Sequence, residues 1–348
     1  MGKCKILVTG GTGYIGAHTV VELDAAGYEI VIVDNFSNSS PEVLEGLENI
    51  TGKKLTFLEL DCANEEHMKL LFDKHPDIDA AIHFAAYKAV GESVDKPLEY
   101  YRNNIDSLIN VLENISGEGR RGAVVFSSSC TVYGQPSPEH LPVKENAPLK
   151  PAVSPYGRTK QICEDILGDT VFASGGDLKV IALRYFNPIG AHPSAIIGEL
   201  PRGVPQNLLP FVTQTAIGIR ERLSVFGSDY NTPDGSCIRD YIYVCDLAKA
   251  HVKAVERMLE KPQEMDGDME YFNIGTGRGL SVLEVVNMFM NATGVDVPYK
   301  VVSRRPGDIE QVWADPSKAN SVLGWSADTP LDVVFKSAWE WEKRLRAL

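Results

Sequence analysis

Short apolar runs and amphipathic stretches alternate through the first half of the chain. Residues 5–9 (KILVT), 29–34 (EIVIVD), 55–60, 80–84 (AAIHF) and 123–127 (AVVFS) are β-rich runs of strand length. Between them, residues 14–26 carry apolar positions at helical spacing. In residues 104–115 the side chains of Ile105, Leu108, Ile109, Leu112 and Ile115 form one stripe, which is expected to pack on a sheet. Another helix is predicted to open at Ser154, with serine at the N-cap and Pro155 at the first helical position. Strands separated by helices pair in parallel through right-handed crossovers, so the pattern predicts a doubly wound α/β sheet.

From about Arg184 the texture changes. Pro and Gly become dense between Pro188 and Pro210, and strand-like runs become fewer. The expectation is a first unit over residues 1–185 and a smaller mixed α/β lobe over residues 186–348. The two are interwoven, because residues 271–275 (YFNIG) read as a further buried strand.

Composition narrows the classes. The chain has 348 residues, 44% hydrophobic and 23% charged, which predicts a sizeable core rather than disorder. Its net charge of −13 argues against nucleic acid or an anionic membrane as a partner. The six cysteines show no C-x-x-C spacing and read as reduced thiols of a cytoplasmic protein. The start, MGKCKILVTGG, enters a strand with an apolar run too short for a signal peptide. Ile6 stands where myristoylation of Gly2 wants Ser or Thr. No apolar stretch of about 18 residues predicts a membrane span. The seven histidines have no ligand spacing, so no metal is expected.

The first strand meets the first helix at Gly10-Gly11-Thr12-Gly13-Tyr14-Ile15-Gly16. Glycines allow a sharp turn and close approach to a pyrophosphate, and the helix start offers free N–H groups. Asp34 ends the second strand near the roughly 20-residue spacing at which an acid meets a ribose 2′-hydroxyl. A carboxylate there repels a 2′-phosphate, which favours NAD over NADP.

Two further stretches carry candidate chemistry. Residues 126–134 (FSSSCTVYG) place Ser129 at the carboxyl end of a strand, where open α/β sheets bind ligands. Residues 154–160 (SPYGRTK) put Tyr156 and Lys160 one helical turn apart on one face. A free phenol titrates near ~10, whereas a useful general base titrates near ~7. Closing that gap takes roughly 4 kcal/mol at about 1.4 kcal/mol per unit. The Lys160 ammonium and the positive ring of oxidised NAD are expected to supply it together. Ser129 is expected to bond the substrate hydroxyl.

These stretches resemble the extended short-chain dehydrogenase/reductase family, whose members have a Rossmann-type sheet. Within it, the chain is similar to the branch that inverts UDP-hexoses at C4. The similarity runs nearly end to end. It is carried by residues 9–16 (TGGTGYIG), 33–35 (VDN), 83–101 (HFAAYKAVGESVDKPLEYY), 126–134, 154–160, 184–194 (RYFNPIGAHPS), 239–248 (RDYIYVCDLA) and 304–315 (RRPGDIEQVWAD). The resemblance implies Tyr156 as catalytic base, with Ser129 and Lys160 beside it. It implies NAD against Tyr14, Ile15, Asp34, Asn35, Asp61, Cys62, Phe84, Ala85, Ala86, Lys88 and Asn103, with Phe186 flanking the ring. It implies a UDP-sugar against Lys88, Ser129, Tyr156, Asn187, Asn207, Leu208, Phe226, Arg239, Arg305 and Asp308. It also implies a homodimer built on a helix bundle, to which the stripe on residues 104–115 could contribute. Read by residue type alone, Arg239 and Arg305 suit a diphosphate, yet serve equally as surface arginines. Asn187 before Pro188 reads equally as a turn residue, and Phe226 as core.

The expected reaction is NAD-dependent interconversion of UDP-galactose and UDP-glucose. A hydride leaves C4, a 4-keto sugar turns over, and the hydride returns to its other face. An alternative is an epimerase acting mainly on UDP-N-acetylhexosamines or another UDP-sugar. Val312 stands where some members carry a bulky Tyr that excludes an N-acetyl group. A 4,6-dehydratase is disfavoured, because Cys130 and Thr131 occupy positions that are acidic in those relatives. An inactive NAD-binding scaffold is disfavoured because Tyr156 and Lys160 are both present.

Overall fold

The computed structural model describes residues 4–116, 121–305 and 308–346; Gly2, Pro306 and Gly307 lie outside them. The chain runs β1 (Lys5–Thr9), α1 (Tyr14–Ala25), β2 (Glu29–Asp34), α2 (Pro41–Thr51), β3 (Thr56–Glu59), α3 (Glu65–Lys74), β4 (Ala80–His83), α4 (Val90–Asp95) and α5 (Pro97–Ile115). It continues through β5 (Gly122–Ser129), α6 (Pro155–Ser174), β6 (Leu178–Tyr185), β7 (Asn187–Ile189), α7 (Leu208–Ala216), β8 (Leu223–Phe226) and β9 (Ile238–Tyr243). The last elements are α8 (Val244–Glu260), β10 (Met269–Ile274), β11 (Gly279–Ser281), α9 (Val282–Thr293), β12 (Tyr299–Val302), β13 (Gln311–Val312) and α10 (Leu331–Leu345).

Seven parallel strands form the main sheet in the order β10-β6-β5-β4-β1-β2-β3. Side-chain alternation sends Ile6 and Val8 of β1 to one face and Leu7 to the other, and both faces are buried. One face packs on α1 and α8 through Val20, Leu23, Leu247 and Val255. The other packs on α3, α5 and α6 through Leu71, Leu108, Leu112 and Leu167. The doubly wound sheet is therefore as the sequence predicts. The order reverses between β1 and β4, which opens a crevice at their carboxyl ends.

Two differences have physical causes. Helix α5 starts at Pro97, earlier than the apolar stripe, because proline suits a first helical position. The stripe itself lies against the sheet, with Leu108, Leu112 and Ile115 buried there. Strand β6 had no strong strand signal, because Lys179 and Arg184 interrupt its apolar run; Arg184 is nonetheless buried.

Arg184 is buried because it is paired. Its Nε and Nη2 donate to the two oxygens of Glu164 on α6, at 2.9 and 2.6 Å. Ser128 Oγ donates to Glu164 at 2.5 Å, and Arg184 Nη1 donates to Tyr133 Oη and to the Glu145 carbonyl, each at 3.1 Å. Helix α6 is thus fastened across β5 and β6. Its start is capped by Ser154, whose Oγ accepts from the Gly157 amide at 3.1 Å, with Pro155 following.

The second lobe holds a four-stranded arrangement centred on β9, bonded to β7, β11 and β13. A two-stranded pair, β8 with β12, lies beside it. Its core gathers Val212, Val225, Tyr243, Val285, Phe289 and Phe335. Two later elements join the first unit: β10 is the outermost strand of the main sheet beside β6, and α8 packs on α1. Among the described residues no helix is long and apolar enough to cross a membrane.

Removing one member of a buried, hydrogen-bonded ion pair strands the other charge, at about 3–5 kcal/mol. Replacing Glu164 by Ala should lower the unfolding free energy by that amount in urea denaturation. A loss under about 1 kcal/mol would show that the clamp does not hold α6.

Candidate active site

The turn between β1 and α1 forms the floor of a cavity of about 580 Å³, within the ~300–1,000 Å³ range of small-molecule sites. Gly10 adopts φ +67°, and a Cβ there would lie 2.9 Å from the Ala85 amide nitrogen. A Cβ on Gly16 would run into the Gly10 carbonyl. The glycines are thus required by the close pass of the chain, which keeps the floor bare. Helix α1 begins at Gly13 without a side-chain cap, so the amides of its first turn stay open toward the cavity.

Asp34 closes one end. Its carboxylate accepts from the Thr12 amide at 3.2 Å, the Phe36 amide at 2.9 Å and Ser39 Oγ at 2.9 Å. Two carboxylate oxygens offer about four lone-pair sites, so these bonds leave room for one more donor. Asn35, Asp61, Cys62, Phe84, Ala85, Ala86, Lys88 and Asn103 line the same cavity, as do Tyr14 and Ile15. Tyr156 and Lys160 close the other end. The bare floor, the open helix start and the acceptor at Asp34 fit a dinucleotide.

Tyr156, Lys160 and Ser129 are all buried, at 8, 3 and 6% exposure. Lys160 Nζ donates to the Ser127 carbonyl at 2.6 Å and sits 4.7 Å from the centre of the Phe126 ring. Ser129 Oγ accepts from the Thr131 amide at 3.2 Å, and its hydroxyl acts on the Tyr156 phenol. The electrostatics differ from the expectation of an activated phenol. Burial pushes the Tyr156 phenol well above its ordinary value, the Tyr185 phenol adds to this, and the Ser129 hydroxyl offsets only part. Burial also lowers the Lys160 ammonium to about 8. The protein alone therefore holds the phenol neutral and leaves Lys160 a cation at neutral pH, by a smaller margin than in water.

Phe186 is not part of the cavity lining. It packs in a separate cluster with Val132, Tyr133, Val143 and Val312. Asn187, Asn207, Leu208, Phe226, Arg239, Arg305, Asp308 and Val312 do not line this cavity either, and part of the set flanks β9. Val312 of β13 pairs in register with Arg239 of β9, and Asn187 of β7 pairs with Tyr241 on the other side. Arg239 Nη2 and Arg305 Nη2 both donate to Asp308 Oδ1 at 3.0 Å, so one carboxylate joins the two guanidinium groups. Phe226 is 40% exposed, not core, and the Arg305 guanidinium lies 5.9 Å from its ring centre. Leu208 opens α7 behind Asn207, whose Nδ2 donates to Glu199 Oε1 at 2.6 Å.

Several lining residues escaped the sequence reading. Ser127 and Tyr185 face each other on β5 and β6, their hydroxyls 2.5 Å apart. Both lie within quoted motifs, and the strand alternation that buries them was the available signal. Thr12 sits inside the glycine turn. Glu199 and Arg202 come from the Pro- and Gly-rich stretch after β7, where no periodicity marks a site; Arg202 Nη1 donates to the Ser37 carbonyl at 3.1 Å.

A family profile described as GDP-mannose 4,6 dehydratase matches residues 7–338. The chain is 51% identical over 338 residues to the UDP-glucose 4-epimerase of Dictyostelium discoideum, covering 97% of this chain and 95% of that one. A crystal structure of UDP-glucose-4-epimerase from Stenotrophomonas maltophila, with bound NAD and formylated UDP-arabinopyranose, superposes with a TM-score of 0.92. It has 45% identity and covers 99% of this chain and 100% of its own. A structure of UDP-glucose 4-epimerase from Bifidobacterium longum, in complex with NAD+ and UDP, gives a TM-score of 0.91 at 43% identity, with 98% of each chain covered.

Lys160 carries a stability cost that its removal should reveal. Its folded value near 8 lies below the ordinary 10.5, so between them the unfolded chain binds more protons. Stability of the parent therefore rises with pH through that window, and the cost is fully present below about 8. Lys160→Met should raise the thermal midpoint at pH 7, and the gain should shrink as pH climbs from about 8 to 10.5. A lower midpoint at neutral pH would show that the Ser127 and Phe126 contacts outweigh the burial.

Proposed function

The chain belongs to the extended short-chain dehydrogenase/reductase family, in the branch of the UDP-glucose 4-epimerases, and from that premise we propose that it interconverts UDP-galactose and UDP-glucose by inversion at C4. The carrying observation is the single cavity that joins a dinucleotide cradle to a buried phenol and lysine.

Tyr14, Ile15, Asp34, Asn35 and Asn103 would hold oxidised NAD in the cradle, where it would supply a hydride acceptor and donor for C4 and a positive charge within the site. Tyr156 takes the C4 hydroxyl proton and gives it back. Ser129 bonds that hydroxyl. Lys160, fixed by the Ser127 carbonyl, keeps a cation within the site at neutral pH. Since burial holds the phenol neutral, its proton leaves only when the filled site adds positive charge. Arg239 and Arg305 hold the diphosphate, with Asp308 setting their spacing, and Phe226 gives the uracil a face. Asn187, Asn207 and Leu208 complete the nucleotide contacts. Firm contacts at the nucleotide end leave the hexose free to turn, which is where remote binding energy is useful.

A 4,6-dehydratase needs an acid or base just after Ser129. Cys130 is there, and burial pushes its thiol up to about 12, so it neither gives nor takes a proton at neutral pH. Val312 favours a wider range of sugars than UDP-hexoses, since valine leaves more room than tyrosine. We also assign the chain as a homodimer through α4, α5 and α6, where Val94, Leu98 and Phe172 face outward. Light scattering at about twice 38.2 kDa is the check. A cytoplasmic setting belongs to the same reading, because the six cysteines are unpaired.

Purified protein given UDP-galactose without added NAD should yield UDP-glucose. Tyr156→Phe should cut turnover by at least ~10²-fold while UDP affinity stays within about 3-fold, by calorimetry. Folded, cofactor-loaded protein that leaves UDP-galactose unchanged would end the proposal. Val312→Tyr should reduce turnover of UDP-N-acetylglucosamine more than that of UDP-galactose; equal losses would remove Val312 from the specificity account.

A further inference from the structure

Glu199 is a buried acid that the reaction above does not use. Its side chain is 11% exposed and lines the cofactor cavity. One of its oxygens, Oε1, accepts from Asn207 Nδ2 at 2.6 Å and lies 3.7 Å from Lys88 Nζ. We propose that Glu199 is a positioning residue that couples the nucleotide-sugar subsite to the cofactor subsite by orienting Asn207 and holding Lys88. This rests on the reading in which Asn207 meets the nucleotide sugar and Lys88 the cofactor.

The carboxylate is set on a rigid mount. Trp341 Nε1 of α10 donates to the Glu199 carbonyl at 2.9 Å. Gly198 lies flat on the same indole, where an added Cβ would come within 2.6 Å of the ring. The neighbouring Glu342 is fixed by Thr213 Oγ1 of α7 at 2.9 Å. The backbone that carries Glu199 is therefore tied to α10, and α10 to the helix that Asn207 opens.

Asn207 supplies the second observation. It is the N-cap of α7 with extended φ −102° and ψ 155°, the geometry in which an Asn side chain ordinarily caps its own helix. It makes no such bond. Its amide nitrogen is turned to Glu199 instead. An ionised carboxylate only accepts, so it fixes which end of the amide it receives and leaves Asn207 Oδ1 and the second N–H for a ligand. The acid so placed also opposes the Lys88 ammonium, which is 43% exposed and would otherwise extend into solvent. Burial raises the Glu199 carboxyl above its ordinary value, and Lys88 and Asn207 offset part of that rise.

The test uses the protein as purified with its cofactor, and UDP alone as probe. Glu199→Ala and Asn207→Ala should each weaken UDP affinity about 10-fold, by calorimetry. The double variant should stay near ~10-fold rather than ~100-fold, because one residue acts through the other. Glu199→Gln keeps the shape but not the charge. It should lose cofactor several-fold faster on ultrafiltration, with an unfolding midpoint like the parent's. If Asn207→Ala leaves UDP affinity unchanged, the assignment of Asn207 fails and the coupling fails with it. If Asn207→Ala weakens UDP and Glu199→Ala multiplies that loss, or if Glu199→Gln retains cofactor like the parent, the proposal alone is overturned.

Discussion

The site depends on one buried ion pair. Glu164 and Arg184 are each 4% exposed at the side chain, and their two-pronged bond joins α6 to β6. Burying two charges is costly, and an apolar pair of the same volume would often hold a helix as well. What the apolar pair would lack is direction. A carboxylate that receives two guanidinium bonds and the Ser128 hydroxyl admits one position of α6 along β5 and β6. Tyr156 and Lys160 lie about two turns and one turn before Glu164 on the same helix, and Ser129 follows Ser128 on the strand. A slip of the helix by a fraction of a turn would separate phenol, ammonium and hydroxyl together.

The same burial that fixes the groups also sets their charge. The phenol is pushed up and the ammonium down, so each is nearer neutrality than in water. A base poised near ~7 in the empty protein would be a reactive phenolate with nothing to act on. Here the low-dielectric surroundings make the phenol sensitive to any added positive charge, because the same surroundings strengthen it. In the proposed reaction, ionisation is thereby linked to occupancy of the cradle, and the Lys160 cation adds to that charge without being sufficient alone.

Local patterns in the sequence carried much of this. The β1–α1 turn was legible because glycines, a flanking strand and Asp34 are each read over a few residues. Tyr156 and Lys160 were legible because helical spacing and the Ser154-Pro155 start place them on one face. Strand β6 was not, because Arg184 breaks its apolar run and is buried only through a residue on another element. The tie of Arg239 and Arg305 through Asp308 was missed for the same reason: each arginine suited an anion, and only the fold supplies the acid between them. Glu199 sits in a stretch without period, and its role exists only where Asn207 and Lys88 converge on it.

Val312 illustrates how far specificity and packing are one property. It is 1% exposed and shares a small core with Phe186, Val132 and Tyr133, while its strand neighbour Arg239 donates to Asp308. A larger side chain at 312 cannot simply extend into an open pocket. It must also displace this cluster, and overpacking of a filled core costs about 1–3 kcal/mol. Tyr133, moreover, accepts from Arg184 and donates to Asn273 at 2.7 Å, so the cluster is bonded to the clamp beneath α6. If Val312 borders the sugar as proposed, that space is bounded by the same network that seats α6, and a change in sugar preference at this wall has to be compatible with the seating of Tyr156.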